Sequence, residues 1–205
     1  MNRIAGLVIL AIFYGIYIGK MLLQKRKGIR TDQMARGRRR DRVFYVEMIL
    51  KLATYSVVAV ELISIILTES YLPEGFIAAG CILGLVGDII FAAAVITMQD
   101  SWRAGLAEAD ETGMITDGIY RYSRNPAFLG FDLVYLGILL MFFNWILFVF
   151  SMFAIIMLHI QILQEESYLP KVFGEEYAAY RSRVCRYLGR KPDLQKENKE
   201  QITKG

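Results

Sequence analysis

The chain has 205 residues, of which 55% are hydrophobic, and its mean hydropathy is +0.37. That composition excludes an ordinary soluble domain and indicates a membrane protein. The formal charge of +4 is concentrated in particular loops. It points to anionic lipid head groups and, with no nucleic-acid module beside the basic stretch, away from nucleic acid.

Residues 4–23 are apolar apart from Lys20, and about 20 such residues suffice to cross the hydrocarbon as a helix. Without a basic region beyond Arg3 or a small-residue cleavage site, this segment reads as a retained anchor rather than a signal peptide. Residues 24–42 are dense in Lys and Arg, from Lys25 to Arg42, so the loop is expected on the cytoplasmic side. A second span covers 43–67, with Glu47 and Lys51 spaced to pair on one face. Glu61, further along, reads as solvated or as a helix-packing residue. The turn at 68–75 holds Glu69, Pro73 and Glu74 but no Lys or Arg, as expected of a translocated loop. In the third span, 76–98, Gly80 and Gly84 make a small-xxx-small pattern that lets another helix approach. Asp88 should face the bundle interior, as a functional group or as a structural hydrogen-bonding one.

The polar interval 99–125 opens with Ser101-Trp102-Arg103, continues through Glu108, Asp110 and Glu111, and ends in Gly118-Ile119-Tyr120-Arg121-Tyr122-Ser123-Arg124-Asn125-Pro126. Trp102 suits either an interfacial anchor or the wall of a binding site. Pro126 is expected to start a fourth helix reaching residue 143, with Asn125 as its cap. The free amides of that helix start, beside Arg121 and Arg124, form an anion-binding position. Asn144 and Trp145 imply a tight hairpin into a fifth span, 146–163. Glu165 and Glu166 then return to the same membrane edge as Arg121, Arg124 and Asn125. Beyond them, apolar and aromatic residues from Leu169 to Leu188 recur at helical spacings with a break near Gly174. The tail, 189–205, is polar and expected to be disordered.

The expected architecture is an all-α integral membrane protein of about five transmembrane helices with a C-terminal cytoplasmic amphipathic helical segment. Its N-terminus would lie outside, and its C-terminus and site would be cytoplasmic. Three regions are expected: the first three helices with their basic loop, 1–98; a functional region, 99–188; and the tail. The single histidine, His159, and the separated Cys81 and Cys185 supply no metal ligand set and no disulfide framework.

Opposite charges meeting at the hairpin's edge have two readings. One is a structural salt-bridge cluster. The other is a site for an amphoteric ligand, with carboxylates accepting from hydroxyls or an amine and arginines holding a carboxylate or phosphate. S-adenosylmethionine has such groups, and a nicotinamide dinucleotide fits in outline. No glycine-rich fingerprint follows a strand, so neither would bind by a Rossmann route.

The motif ending in Asn125-Pro126, followed by Glu165-Glu166-Ser167-Tyr168-Leu169 and by Phe173-Gly174-Glu175-Glu176-Tyr177-Ala178-Ala179-Tyr180, resembles the isoprenylcysteine carboxyl methyltransferase family of integral membrane methyltransferases. The resemblance runs from about Ser101 to Leu188; the first three helices match in hydropathy only. It implies an S-adenosylmethionine-dependent methyltransferase, with the cofactor between the hairpin and the C-terminal segment. It also implies a lipophilic small-molecule or lipidated acceptor, such as an isoprenylcysteine carboxylate or a phospholipid amine, entering from the surrounding membrane lipids. Tyr120, Arg124, Asn125, Pro126, Leu129, Glu165 and Glu166 would bind the cofactor. Arg124 and Glu165 would be the catalytic pair, with Arg124 orienting an acceptor carboxylate.

Two positions depart from the family pattern. Asn125 stands where the family usually has histidine, and asparagine does not titrate near neutral pH. Pro170 should bend or restart the C-terminal helix. Competing readings are an NADPH-dependent membrane reductase of the sterol type and a noncatalytic membrane lipid-binding protein. The reductases typically have glutamate after the glycine at the position of Gly130, where this chain has Phe131.

Overall fold

The computed structural model describes residues 2–32, 34–35, 41–69, 71–103 and 113–191. The arginines at 36–40, the acidic run of Glu108, Asp110 and Glu111, and the polar tail from 192 onward lie outside the described residues. Among the described residues five α-helices follow one another: α1 (Asn2–Arg26), α2 (Arg42–Leu67), α3 (Glu74–Met98), α4 (Pro126–Met141) and α5 (Trp145–Arg183). Among the described residues there is no strand, and one isolated antiparallel bridge joins Val184 to Arg190. The expected all-α architecture is therefore found, with four helices long and apolar enough to cross a bilayer and a shorter apolar α4. At about 1.5 Å per residue α4 is about 24 Å long, less than the ~30 Å of hydrocarbon.

Glycines set how the bundle closes. A Cβ on Gly80 would lie 2.6 Å from the carbonyl oxygen of Gly137, and one on Gly87 would lie 2.9 Å from that of Gly130. Two reciprocal glycine pairs thus hold α3 and α4 at backbone contact, a spacing that small residues alone permit. The expected Gly80/Gly84 pattern serves two neighbours, because the open position at Gly84 is filled by Ile9 of α1. Trp102 is buried and packs edge-on against Tyr17 and Phe91, with ring centroids 5.4 and 6.1 Å away. It is a core residue, not an interfacial anchor.

Among the described residues the ion pairs gather at one end of the bundle. Gln24 Nε2 donates to the Trp102 carbonyl (3.0 Å) and Lys27 pairs with Asp100 (2.7 Å), fastening the end of α1 to that of α3. The expected Glu47/Lys51 pairing gives way to contacts with the loop before α2: Lys51 pairs with Asp32, and Glu47 accepts the Ala35 amide at 2.8 Å. Asp32 and Ala35, which precede α2 in the chain, reach those side chains. Asp88 and Glu61 are both buried, in keeping with an inward-facing Asp88 and a Glu61 packed among helices.

The C-terminal amphipathic segment follows the fifth span with the expected break near Gly174, so that α5 consists of two helical stretches joined at a kink. Pro170 removes one backbone donor without ending the helix, and the break comes at Gly174, whose φ of 52° and ψ of −127° are non-helical. The 39 residues of α5 exceed what the hydrocarbon requires, and Glu165 and Glu166 stand beyond its apolar part, which ends at Leu163.

Candidate functional site

The site is built where the start of α4 meets the middle of α5. A single 3₁₀ turn, Gly118–Arg121, leads into it, and Pro126 occupies the first turn of α4, where its missing N–H leaves no bond unmade. Arg124 projects from this turn onto Glu166, with Nη2 2.7 Å from Oε1, and the two side chains are only 6% and 5% exposed. Asn125 Nδ2 donates to the same oxygen at 3.2 Å and to the Arg186 carbonyl at 3.2 Å. The expected side-chain cap by Asn125 is absent, because its amide is committed to Glu166. The Asn125 N–H donates instead to Ser123 Oγ at 3.1 Å.

The chain after α5 closes the other side. Arg186 donates through Nε and Nη2 to Glu166 Oε2, at 3.0 and 2.8 Å. The backbone of this strap bonds the motif directly: the Arg124 N–H donates to the Cys185 carbonyl at 3.1 Å and the Gly189 N–H to the Tyr122 carbonyl at 2.7 Å. Tyr180 Oη donates to the Tyr120 carbonyl at 2.7 Å. The Tyr187 hydroxyl meets His159 Nδ1 at 2.7 Å with the two rings stacked. Burial alone would raise the Glu166 carboxyl, but Arg186 and Arg124 together hold it below the usual range. Its hydrogen bonds in turn raise Arg186.

The paired glutamates part company. Successive helical residues point about 100° apart, so Glu166 faces α4 and the strap while Glu165 accepts from Gln161 Nε2 at 3.1 Å. Burial raises the Glu165 carboxyl to about 7; Gln161 opposes the shift, while the neighbouring Glu47 and Glu166 add to it. Of the expected site residues, Arg124, Asn125 and Glu166 are in direct contact. Tyr120 is buried within electrostatic reach of Glu165. Pro126 is buried and Leu129 half-buried along the first turn of α4. Arg121 is outside the cluster, exposed and paired with Asp117 at 2.9 Å.

Beside this ionic cluster lies a cavity of about 1280 Å³ between α1 and α2. Its floor is formed by Ala127, Phe128 and Phe131 of α4 and by Leu158 and Gln161 of α5, and Trp102 contributes to its wall. Ala127 and Phe128 follow Asn125 within one helical turn, and Gln161 precedes Glu165 by one turn. Apolar cleft and ionic cluster therefore share the same two stretches of helix.

The model of the isoprenylcysteine carboxyl methyltransferase family matches residues 80–171. Over these residues the chain is similar to that family. Within the match lie both glycine pairs of α3 and α4, the Arg124-Asn125-Pro126 turn, Glu165 and Glu166. The match begins earlier than the resemblance read from the motifs and ends at 171, before the 173–180 motif and the strap. A protein-S-isoprenylcysteine O-methyltransferase of Schizosaccharomyces pombe is 36% identical over 72 residues, 35% of this chain and 30% of that protein. Protein-S-isoprenylcysteine O-methyltransferase A of Arabidopsis thaliana is 32% identical over 111 residues, 52% of this chain and 55% of that protein. The chain thus spans between about a third and about half the length of these relatives.

Arg186, Tyr180 and the His159–Tyr187 contact were not expected from sequence. Tyr177 and Tyr180 were visible as part of an amphipathic pattern, which shows a buried face but not a hydrogen-bond partner. Arg186 carried no local signal at all.

Proposed function

We propose that this protein is an integral membrane methyltransferase that moves a methyl group from S-adenosylmethionine to a lipophilic acceptor. One observation carries the reading: a buried Arg124–Glu166–Arg186 cluster, with Asn125, shares its helical turns with a large apolar cleft. The residues fit such a cofactor. Around Glu166, Arg124 Nε and the Tyr177 hydroxyl are buried without hydrogen-bond partners among the described residues. They leave donors for a carboxylate or a ribose hydroxyl.

On this reading Tyr120, Arg124, Asn125, Pro126, Leu129, Glu165 and Glu166 hold the cofactor, which supplies an already activated methyl group. Arg124, tied to Glu166 and to the carbonyls of Arg181 (3.3 Å) and Val184 (3.4 Å), positions the cofactor's side of the site. That differs from the acceptor-orienting role the family resemblance implied. Glu165, bonded to the cleft-floor Gln161, holds the cofactor from the side that meets the acceptor. The protein's contribution is alignment and the exclusion of water by the strap and the aromatic floor. The acceptor lies in the cleft between α1 and α2, its head at Ala127 and its tail toward the membrane interior. The basic residues of the loop between α1 and α2 favour a cytoplasmic site.

The test is calorimetric titration of the full chain in nanodiscs with S-adenosylmethionine and with NADPH, then methyl transfer from labelled cofactor into a total lipid extract. Binding of S-adenosylmethionine but not NADPH, with label in the lipid fraction, is expected. Folded protein that binds no S-adenosylmethionine would sink the assignment.

A further inference from the structure

One end of the cleft is cationic where its walls are apolar. Lys25 at the end of α1, Arg30 in the loop that follows and Arg103 after α3 all line it. Each is the chain neighbour of one member of a buried hydrogen-bond chain. Gln24 Oε1 accepts from the Thr31 hydroxyl at 2.5 Å, and Gln24 Nε2 donates to the Trp102 carbonyl at 3.0 Å. The Gln24 carbonyl also accepts the Ile29 N–H at 2.9 Å, which turns the loop back beside the end of α1. Gln24, Thr31 and Trp102 are 0%, 3% and 4% exposed. A buried amide satisfied at both ends fixes the segments that satisfy it. One side chain thus holds cations from three segments at one rim of the cleft. Asp32, which also lines the cleft, is paired with Lys51.

We propose that Lys25, Arg30 and Arg103, held in register by Gln24, bind the phosphate of a lipid whose tail fills the cleft. Donors arriving from three segments suit the tetrahedrally arranged oxygens of a phosphate better than the two coplanar oxygens of a carboxylate. Beyond the rim the cleft continues past apolar residues such as Leu7, Leu10, Val58 and Leu62, which favours a lipid over a free anion. Gln24 is a positioning residue: it touches no ligand and acts through the three cations beside it. The inference rests on the preceding section for identifying the cleft's occupant as the methyl acceptor, and it narrows that acceptor to phosphate-bearing lipids.

The test is equilibrium binding of radiolabelled oleoyl lysophosphatidate, monooleoylglycerol and oleate to the full chain in dodecyl maltoside, a detergent without phosphate. The phosphate lipid should bind about ten-fold more tightly than either of the others, the size expected of charged hydrogen bonds at a partly exposed rim. Inorganic phosphate at equal concentration should not displace it. The preference should fall to about one in the double variant Arg30→Gln/Arg103→Gln and in Gln24→Leu, with monooleoylglycerol binding retained. A Gln24 that served stability alone would leave the preference intact. Should Gln24→Leu fail to fold, the arginine variant, altered at exposed and half-buried positions, gives the reading. Equal affinities in the unaltered protein, oleate binding as tightly as the phosphate lipid, displacement by inorganic phosphate, or a preference that survives these substitutions overturns the site. A preference without methyl transfer from labelled S-adenosylmethionine into any lipid overturns the methyltransferase reading and leaves the site standing. Methyl transfer to lipids with no preference does the reverse.

Discussion

Arg186 and Arg124 grip opposite oxygens of one buried carboxylate: Arg186 Nη2 lies 2.8 Å from Glu166 Oε2, and Arg124 Nη2 lies 2.7 Å from Glu166 Oε1. The two arginines are unequally buried. The Arg186 side chain is 33% exposed and that of Arg124 only 6%.

Removing either side of this arrangement should therefore have unequal effects. Glu166→Gln leaves Arg124 buried without its anion, a loss of about 3–5 kcal/mol by analogy with broken buried pairs. Arg186→Ala leaves Glu166 still bound by Arg124 and Asn125 and should cost less, about 1.5–3 kcal/mol for lost charged hydrogen bonds. Thermal unfolding in detergent should rank Glu166→Gln below Arg186→Ala; the reverse order contradicts the assignment of Arg124 as the buried partner.

Asn125 acts here as a double donor. Asn125→Asp conserves shape but turns two donated bonds into contacts between acceptors, with a new charge beside Glu166. It should destabilise the protein by at least about 2 kcal/mol and weaken S-adenosylmethionine binding in calorimetry.

The glycine pairs predict a contrast. Gly137→Ala places a methyl 2.7 Å from the Gly80 carbonyl oxygen and 2.7 Å from the Gly84 nitrogen, so α3 and α4 must move apart, at about 1–3 kcal/mol. Gly15→Ala meets no atom within 4 Å and should be neutral or slightly stabilising through helix propensity. Paired melting curves of the two variants check this.

A pH dependence follows from Glu165. With its carboxyl raised from 4.5 to about 7, the native state holds more protons than the unfolded state across that window, so this group's contribution to stability falls as pH rises through it. A cationic group pairing with Glu165 needs the carboxylate. S-adenosylmethionine affinity should therefore rise up to ten-fold per pH unit below about 7 and level off above. Calorimetry at several pH values should show this slope in the unaltered protein and lose it in Glu165→Gln.

Much of this was legible in the sequence because hydropathy and local spacing carry it. Five apolar segments, the Asn144 hairpin and the return of Glu166 to Arg124 follow from helix length and loop length alone. The divergence of Glu165 from Glu166 could have been read from the helical angle between neighbours. What stayed hidden depends on where a chain goes after a helix ends. Arg186 reaches Glu166 through the strap, and no periodicity encodes a strap.

Gly174 gives the site a mechanical weak point. Its φ of 52° lies in the left-handed region, and no atom lies within 4 Å of where a Cβ would stand, so glycine is required there by the backbone and not by packing. Tyr177, Tyr180 and Arg186 all hang from that one torsion. The orientation of this side of the ionic cluster is thus set at a residue where an added Cβ would meet no neighbour, and a substitution there would misaim the strap while every contacting side chain kept its identity.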